Sequence, residues 1–385
     1  MRRSDEPDFA RLYLHLFASA ACVLPVASYV LTSFGWRPGD IGVGTAALAL
    51  AGTLSSPAWG RLDDRTSWAP RAAVLSTSVA AVATGLTLGR LPHAATWAGL
   101  ALFGAAEGPL DALLTTRVLS SRRHAGRLGS VRAFGSLGWV VGLALAAAVL
   151  TLWPDHAEWV LFAAALAAVS APRSWGSREL STRTGPPAGR RLWEGVPVRP
   201  VLGVMAFTAG TSFAISAVVQ FTAGWAHREL AAGPFLALTP IALSAALELP
   251  AFTWVDRLAR GSSPLVLVVL AGPPIALATF ALAAFPSSVV MLGVQPLIGL
   301  TFALLFVGQS RMLAEAVPPD RQSSAQTLGS ALSTGCAGLL AGTLGGQLAD
   351  AVGYRGLFAA LGVVSLAGTV PGVLRLSLRA RVRVR

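Results

Sequence analysis

The chain has 385 residues, of which 54% are hydrophobic and only 12% charged, where a soluble domain carries about 25% charged residues. That composition excludes an ordinary soluble fold and points to a membrane protein. The formal charge of +12 is carried by arginine alone, with no lysine anywhere, and the arginines sit between apolar stretches rather than on one face, which argues against nucleic-acid binding.

About 20 apolar residues cross the hydrocarbon core as a helix. By that rule twelve spans are predicted, near 9–34, 40–61, 70–89, 94–117, 130–152, 157–172, 200–224, 233–256, 264–285, 288–311, 324–349 and 354–376. The first apolar run is too long for the core of a signal peptide. The S-A-A before Cys22 also lacks the leucine of a lipoprotein signal, so the run reads as the first membrane helix. Cys22 and Cys336 both fall within spans and read as free, packed thiols rather than a disulfide framework. Pro25, Pro57, Pro109, Pro250 and Pro296 lie inside spans, where neighbouring helices and polar side chains can satisfy the freed carbonyls.

Arginine placement predicts orientation, because cytoplasmic loops collect positive charge. With alternating loops, only Arg37, Arg90, Arg228 and Arg355 fall on one side and Arg132 falls within the membrane. All the other arginines share the side that holds both termini, so the expectation is a multi-pass protein of the cell (inner, cytoplasmic) membrane with both termini cytoplasmic.

Residues 173–199 are rich in Arg, Gly, Pro and Ser and read as a cytoplasmic linker loop. It separates an N-terminal six-helix bundle, 1–172, from a C-terminal six-helix bundle with a basic tail, 200–385. The halves repeat. Arg117, Arg127 and the R-A-F-G-S from Arg132 recur at identical spacing as Arg311, Arg321 and the Q-T-L-G-S from Gln326, and Asp64-Arg65 recurs as Asp256-Arg257. Parallel six-helix repeats place a substrate site between the halves near the midplane.

The P-A-W-G-R-L-D-D-R at 57–65, with Arg71 beyond it, resembles the signature of the major facilitator superfamily. The G-x-x-R-x-x-G-S-x-G-W from Gly129 to Trp139 resembles, more narrowly, the lactose-permease-like branch of sugar and nucleoside proton symporters. Pro109-Leu110-Asp111 and G-G-Q-L-A-D at 345–350 fit the same branch. The resemblance implies an all-α membrane protein of twelve transmembrane helices in two pseudo-symmetric six-helix bundles. It also implies that an arginine and a tryptophan at the positions of Arg132 and Trp139 contact the solute, with an acid near Asp111 pairing with the arginine. One departure stands out: span 10 carries Gly293, Pro296 and Gly299 where that branch has charged and histidine coupling residues.

The residues themselves support a site there. Glu107, Asp111 and Arg132 fall at membrane depth, where ionisable side chains are costly and tend to line solute or ion paths. Arg132, Ser136 and Trp139, at i, i+4 and i+7, share one helical face, while Glu107 and Asp111 are i, i+4 on the preceding helix. A guanidinium offers forked donors to paired hydroxyls or a carboxylate, and an indole offers an apolar platform. The expected substrate-binding set is Arg132, Trp139, Asp111, Glu107, Ser136 and Gln326, the repeat counterpart of Arg132. A purely structural arginine–acid bridge between spans 4 and 5 is the competing reading.

Glu248, within a span of the second half, is the candidate for proton coupling, since a carboxyl away from water can hold a proton at neutral pH. Asp111 and Glu107 are its rivals, and a permanently protonated, hydrogen-bonded carboxyl is the bland alternative. Gly60, Asp64, Arg65, Arg71 and Arg117 are gating candidates, a carboxylate at a helix end being able to hold arginines of a neighbour. His15 reads as packing rather than proton relay. Gln220, Gln295 and Gln309 either face a cavity or bond neighbouring helices, and Gly338, Gly342 and Gly346 form a stripe for close packing. There is no phosphate-binding loop with lysine, no zinc motif and no nucleophile constellation. The expectation is no enzyme, no cofactor and no metal, but a monomeric secondary transporter in a lipid bilayer. Its substrate would be a small sugar, nucleoside or weak organic acid, taken up with protons. Efflux of amphipathic compounds is the alternative, followed by a non-transporting sensor.

Overall fold

The computed structural model describes residues 9–65, 69–88, 92–120, 128–171, 198–317, 325 and 328–383; for Gly60, Asp64 and Arg65 it describes the backbone alone. Every regular element among these residues is helical. In chain order they are α1 (Phe9–Ala21), α2 (Leu24–Ser33), α3 (Pro38–Arg65), α4 (Ala69–Thr87), α5 (His93–Glu107), α6 (Leu110–Ser120), α7 (Leu128–Leu152) and α8 (Glu158–Ser170). The second half of the chain holds α9 (Val198–Leu230), α10 (Pro234–Gly261), α11 (Pro264–Ala284), α12 (Ser288–Gly293) and α13 (Gln295–Ala316). Two π-helical turns, Ala331–Cys336 and Ala341–Gly345, flank α14 (Ala337–Leu340), and α15 runs Gly346–Arg383 with a break at Gly353 (φ 73°). Among the described residues seven helices are long and apolar enough to cross a membrane by length and composition.

Three predicted spans are each two helices rather than one, and the reason is proline. The chain restarts at Leu24-Pro25, at Pro109-Leu110 and at Gln295-Pro296, because proline has no N–H for the preceding turn. Pro109 shows how the loss is repaired. The carbonyl four residues back, on Ala105, accepts hydrogen bonds from Ser55 Oγ at 2.7 Å and Trp59 Nε1 at 2.9 Å, both on α3. Pro250, by contrast, sits inside an unbroken α10. Helices α9 and α10 also run past their predicted ends. His227 and Arg228 occupy the last turn of α9, and Arg260 that of α10, where cations meet the negative end of the helix dipole.

Successive spans alternate in direction, so the turns at 34–37, 153–157, 231–233 and 285–287 and the Gly353 break share one end of the molecule, here called the distal end. Helices α1 and α7 are parallel neighbours in tight contact. A Cβ on Gly142 would strike the Ala18 carbonyl, so their approach requires glycine.

The apolar core is unequal along the membrane normal. At the distal end one continuous cluster takes residues from both halves, Leu31, Phe103 and Leu143 together with Phe221, Trp225, Leu238 and Phe358. Toward the other end it divides. Leu12, Tyr13 and Leu114 form a cluster confined to the first half, while Val255 with Leu304, and Val204 with Leu313, form clusters confined to the second.

Candidate functional site

Arg132 lies one turn into α7, with its guanidinium over the Phe17 ring at 4.1 Å and 5.8 Å from the centre of the Tyr13 ring, both on α1. Its Nε is 3.6 Å from Asp111 Oδ1 on α6. That is an ion pair, yet longer than a hydrogen bond, so both buried atoms lack a hydrogen-bond partner. Room for the guanidinium comes from Gly135, where a Cβ would stand 2.5 Å from Arg132 Nη1.

One turn along α7, the buried Ser136 hydroxyl donates to Glu248 Oε2 on α10 at 2.9 Å. This bond joins the two halves of the chain. Arg132 is within electrostatic reach of Glu248 as well. Asp111, Arg132, Ser136 and Glu248 therefore form one polar thread through an apolar interior, with two rings of α1 against the cation. Glu107 is half-buried and makes no hydrogen bond or ion pair among the described residues. A new helix starts after Gly108-Pro109, between Glu107 and Asp111, but Gly108 keeps helical φ/ψ (−52°, −38°) and the two carboxyls remain in electrostatic reach. Trp139 is half-buried and packs on the distal core. The guanidinium thus keeps donors free for a carboxylate or a pair of hydroxyls.

Other expected residues lie apart. Gln326 lies outside the described residues. Arg71 is exposed and Arg117 buried; the side chain of Asp64, another gating candidate, lies outside the description. Gln220 bonds neighbouring helices, accepting from Thr45 Oγ1 on α3 at 3.1 Å and donating to the Gly338 carbonyl at 3.1 Å. Gln309 donates to Ser333 Oγ at 3.1 Å, and Gln295 to the Met291 carbonyl at 2.6 Å. His15 Nδ1 meets Ser170 Oγ at 2.9 Å, a packing role. The glycine stripe packs against α3: Gly338 faces Ala49, Gly342 faces Gly42 and Gly346 faces Gly39.

Tyr13, Phe17 and the Ser136–Glu248 bond are absent from the sequence reading. The spacing of Tyr13 and Phe17, i and i+4, does place both rings on one face of the first helix. Two cavities among the described residues lie away from Arg132. One, a water-sized gap of about 20 Å³, is lined by apolar residues such as Val26, Leu88 and Leu161. The other, about 280 Å³, opens at the distal end.

The sequence matches the MFS_1 like family over residues 8–360. No curated protein matches it. A crystal structure of a point mutant of the nucleoside transporter NupG is similar at a TM-score of 0.79 and 13% identity, covering 95% of this chain and 98% of that one. A second NupG structure gives 0.76 at 12% identity, covering 95% and 97%. A POT family transporter in complex with a thioalcohol-conjugated peptide gives 0.74 at 12% identity, covering 96% of each chain. At such identities the likeness is one of fold. The family match spans most of the chain: this protein belongs to the MFS_1-like family and is a membrane transporter of the major facilitator type, not an enzyme.

Proposed function

We propose that the protein is a proton-coupled secondary transporter that takes up a small hydroxylated or weakly acidic solute, of the sugar, nucleoside or organic-acid class. Twelve crossings in two six-helix bundles, 1–172 and 200–385, joined by a cytoplasmic 173–199 linker, give both termini on the inner face. The observation that carries the reading is the polar thread of Asp111, Arg132, Ser136 and Glu248. It brings an incompletely bonded guanidinium and carboxylates from both halves to one place inside the bilayer. Solute binding to Arg132 would compete with Asp111, and protonation of Glu248 would change what Ser136 and Arg132 face across the two halves. The divided core supports a state closed at the distal, outer end, with the bundles parting toward the cytoplasm.

The test is a thermal-shift titration of purified protein with uridine, lactose and benzoate, since a ligand of the folded state raises its apparent stability. At least one should stabilise the wild type, and Arg132→Ala should lose that response while still purifying as a folded monomer. A response retained in Arg132→Ala removes Arg132 from the site. Coupling is tested separately in proteoliposomes: Glu248→Gln should leave downhill exchange intact while abolishing accumulation driven by a pH gradient. Accumulation that persists assigns coupling elsewhere.

A further inference from the structure

Away from the distal end, the antiparallel neighbours α9 and α15 part from each other. They meet closely where Gly210 faces Gly368, and again where Phe207 faces Gly372. One turn further along α9, a Cβ added to the exposed Gly203 would find nothing within 4 Å, so a slot opens between the two helices. Arg199, Gly203 and Phe207, at i, i+4 and i+8, share the side of α9 that borders this slot. Across it, Arg375 of α15 holds its guanidinium 5.5 Å from the centre of the Phe207 ring. Arg199 and Arg375 are both exposed, and neither makes a hydrogen bond or ion pair among the described residues.

Length, apolarity and charge together identify the occupant. From the Gly353 break to Arg383, α15 is about 45 Å long at 1.5 Å per residue, against a hydrocarbon core of about 30 Å. Its last turns therefore stand at headgroup depth. Val370, Leu374 and Leu378, again at i, i+4 and i+8, are each more than half exposed and form an outward apolar row that ends at the slot. The run from Leu374 to Arg385 holds five arginines, and no acidic residue follows Asp350. The helices packed on this part of α15 do not neutralise it. Helix α11 has no acidic residue, and the only one in α9, Glu229, is at the distal end. Glu315 of α13 is exposed on the side opposite Leu313 and Val317, which face α9. We propose that the slot binds an anionic phospholipid, with its phosphodiester between Arg199 and Arg375 and an acyl chain along Leu374 and Val370. Guanidinium forks match phosphate oxygens, and basic runs beside a membrane helix attract anionic headgroups; the slot gives that attraction one address. The topology proposed above makes this the inner leaflet.

Phosphatidylglycerol is the probe, with zwitterionic phosphatidylcholine as control, titrated into the full-length protein in neutral detergent. Native mass spectrometry counts the bound lipid and the thermal midpoint follows it. Wild type should bind phosphatidylglycerol saturably and in preference to phosphatidylcholine. The double variant Arg199→Gln with Arg375→Gln should bind it roughly tenfold more weakly or worse. Arg199→Gln alone breaks no contact of the fold and carries the charge test should the double variant not fold. Gly203→Leu keeps every charge but fills the slot, so it should weaken binding too, which a diffuse basic surface would not. Arg132→Ala should bind the lipid as wild type does, so this result stands or falls apart from the solute site. The proposal is overturned if phosphatidylcholine binds as tightly, or if the arginine variants or Gly203→Leu keep wild-type affinity. It is overturned as well if inorganic phosphate displaces the lipid, which would make the slot a site for the free anion.

Discussion

Arg132 is held by aromatic faces at least as closely as by oxygen. The 3.6 Å separation from Asp111 leaves the guanidinium short of a full hydrogen-bonded pair, while the Phe17 ring lies 4.1 Å beneath it. A desolvated cation–π contact contributes about 0.5–2 kcal/mol. Phe17→Leu keeps the apolar bulk and removes the quadrupole, so solute affinity should fall roughly two- to thirty-fold with expression unchanged. Equilibrium binding to the purified variant reads this directly, and an unaltered affinity would make Phe17 mere packing. The arginine and Asp111 were legible in the sequence because charges within apolar runs are rare. Phe17 was not, since an aromatic in such a run looks the same facing lipid, core or cation. Nor was the Ser136–Glu248 bond, whose partners are 112 residues apart and share no local pattern.

At the scale of elements, the seam between α3 and the 331–346 stretch is made by backbone. Gly42 and Gly342 face each other so closely that a Cβ on either would strike the other's carbonyl, and Gly346 meets Pro38 and Gly39 likewise. The G-x-x-x-G stripe signalled this close contact from sequence alone. The two π-helical turns beside it did not show, because a π turn is set by which carbonyl each amide reaches and not by composition. Such turns are widened and recur at functional sites, and here they lie on the surface that meets the other half. Gly342→Val should push the seam apart. Overpacking of this kind costs about 1–3 kcal/mol, seen as a lower thermal midpoint, and exchange through the protein should drop because the distal end no longer seals. A variant with wild-type midpoint and exchange rate would mean the seam tolerates a side chain and does not seal.

For the whole molecule, the all-helical, apolar character of the chain was readable, since it depends on composition over many residues. The state of the molecule was not, because it depends on which faces of the two halves meet. The core answers that question in physical terms: one apolar cluster bridges the halves distally, and three clusters keep to their own half toward the other end. An apolar contact between the halves that lies toward one end is how a two-bundle carrier can rock about a midplane site, and the Gly39 amide to Asp350 carboxylate bond pins that end. Gly39→Cys with Asp350→Cys, in a background with Cys22 and Cys336 replaced by serine, places two thiols across the pin. A notional Cβ on Gly39 already touches the Asp350 carboxylate, so a short thiol cross-linker spans the gap. Cross-linked protein in proteoliposomes should lose solute exchange almost completely and regain it on reduction, because the distal end must open once in each cycle. The midplane thread would still bind solute from the other side, so equilibrium binding should survive the cross-link. Exchange that continues at the uncross-linked rate would mean this end never parts, and the alternating-access account would fail with it.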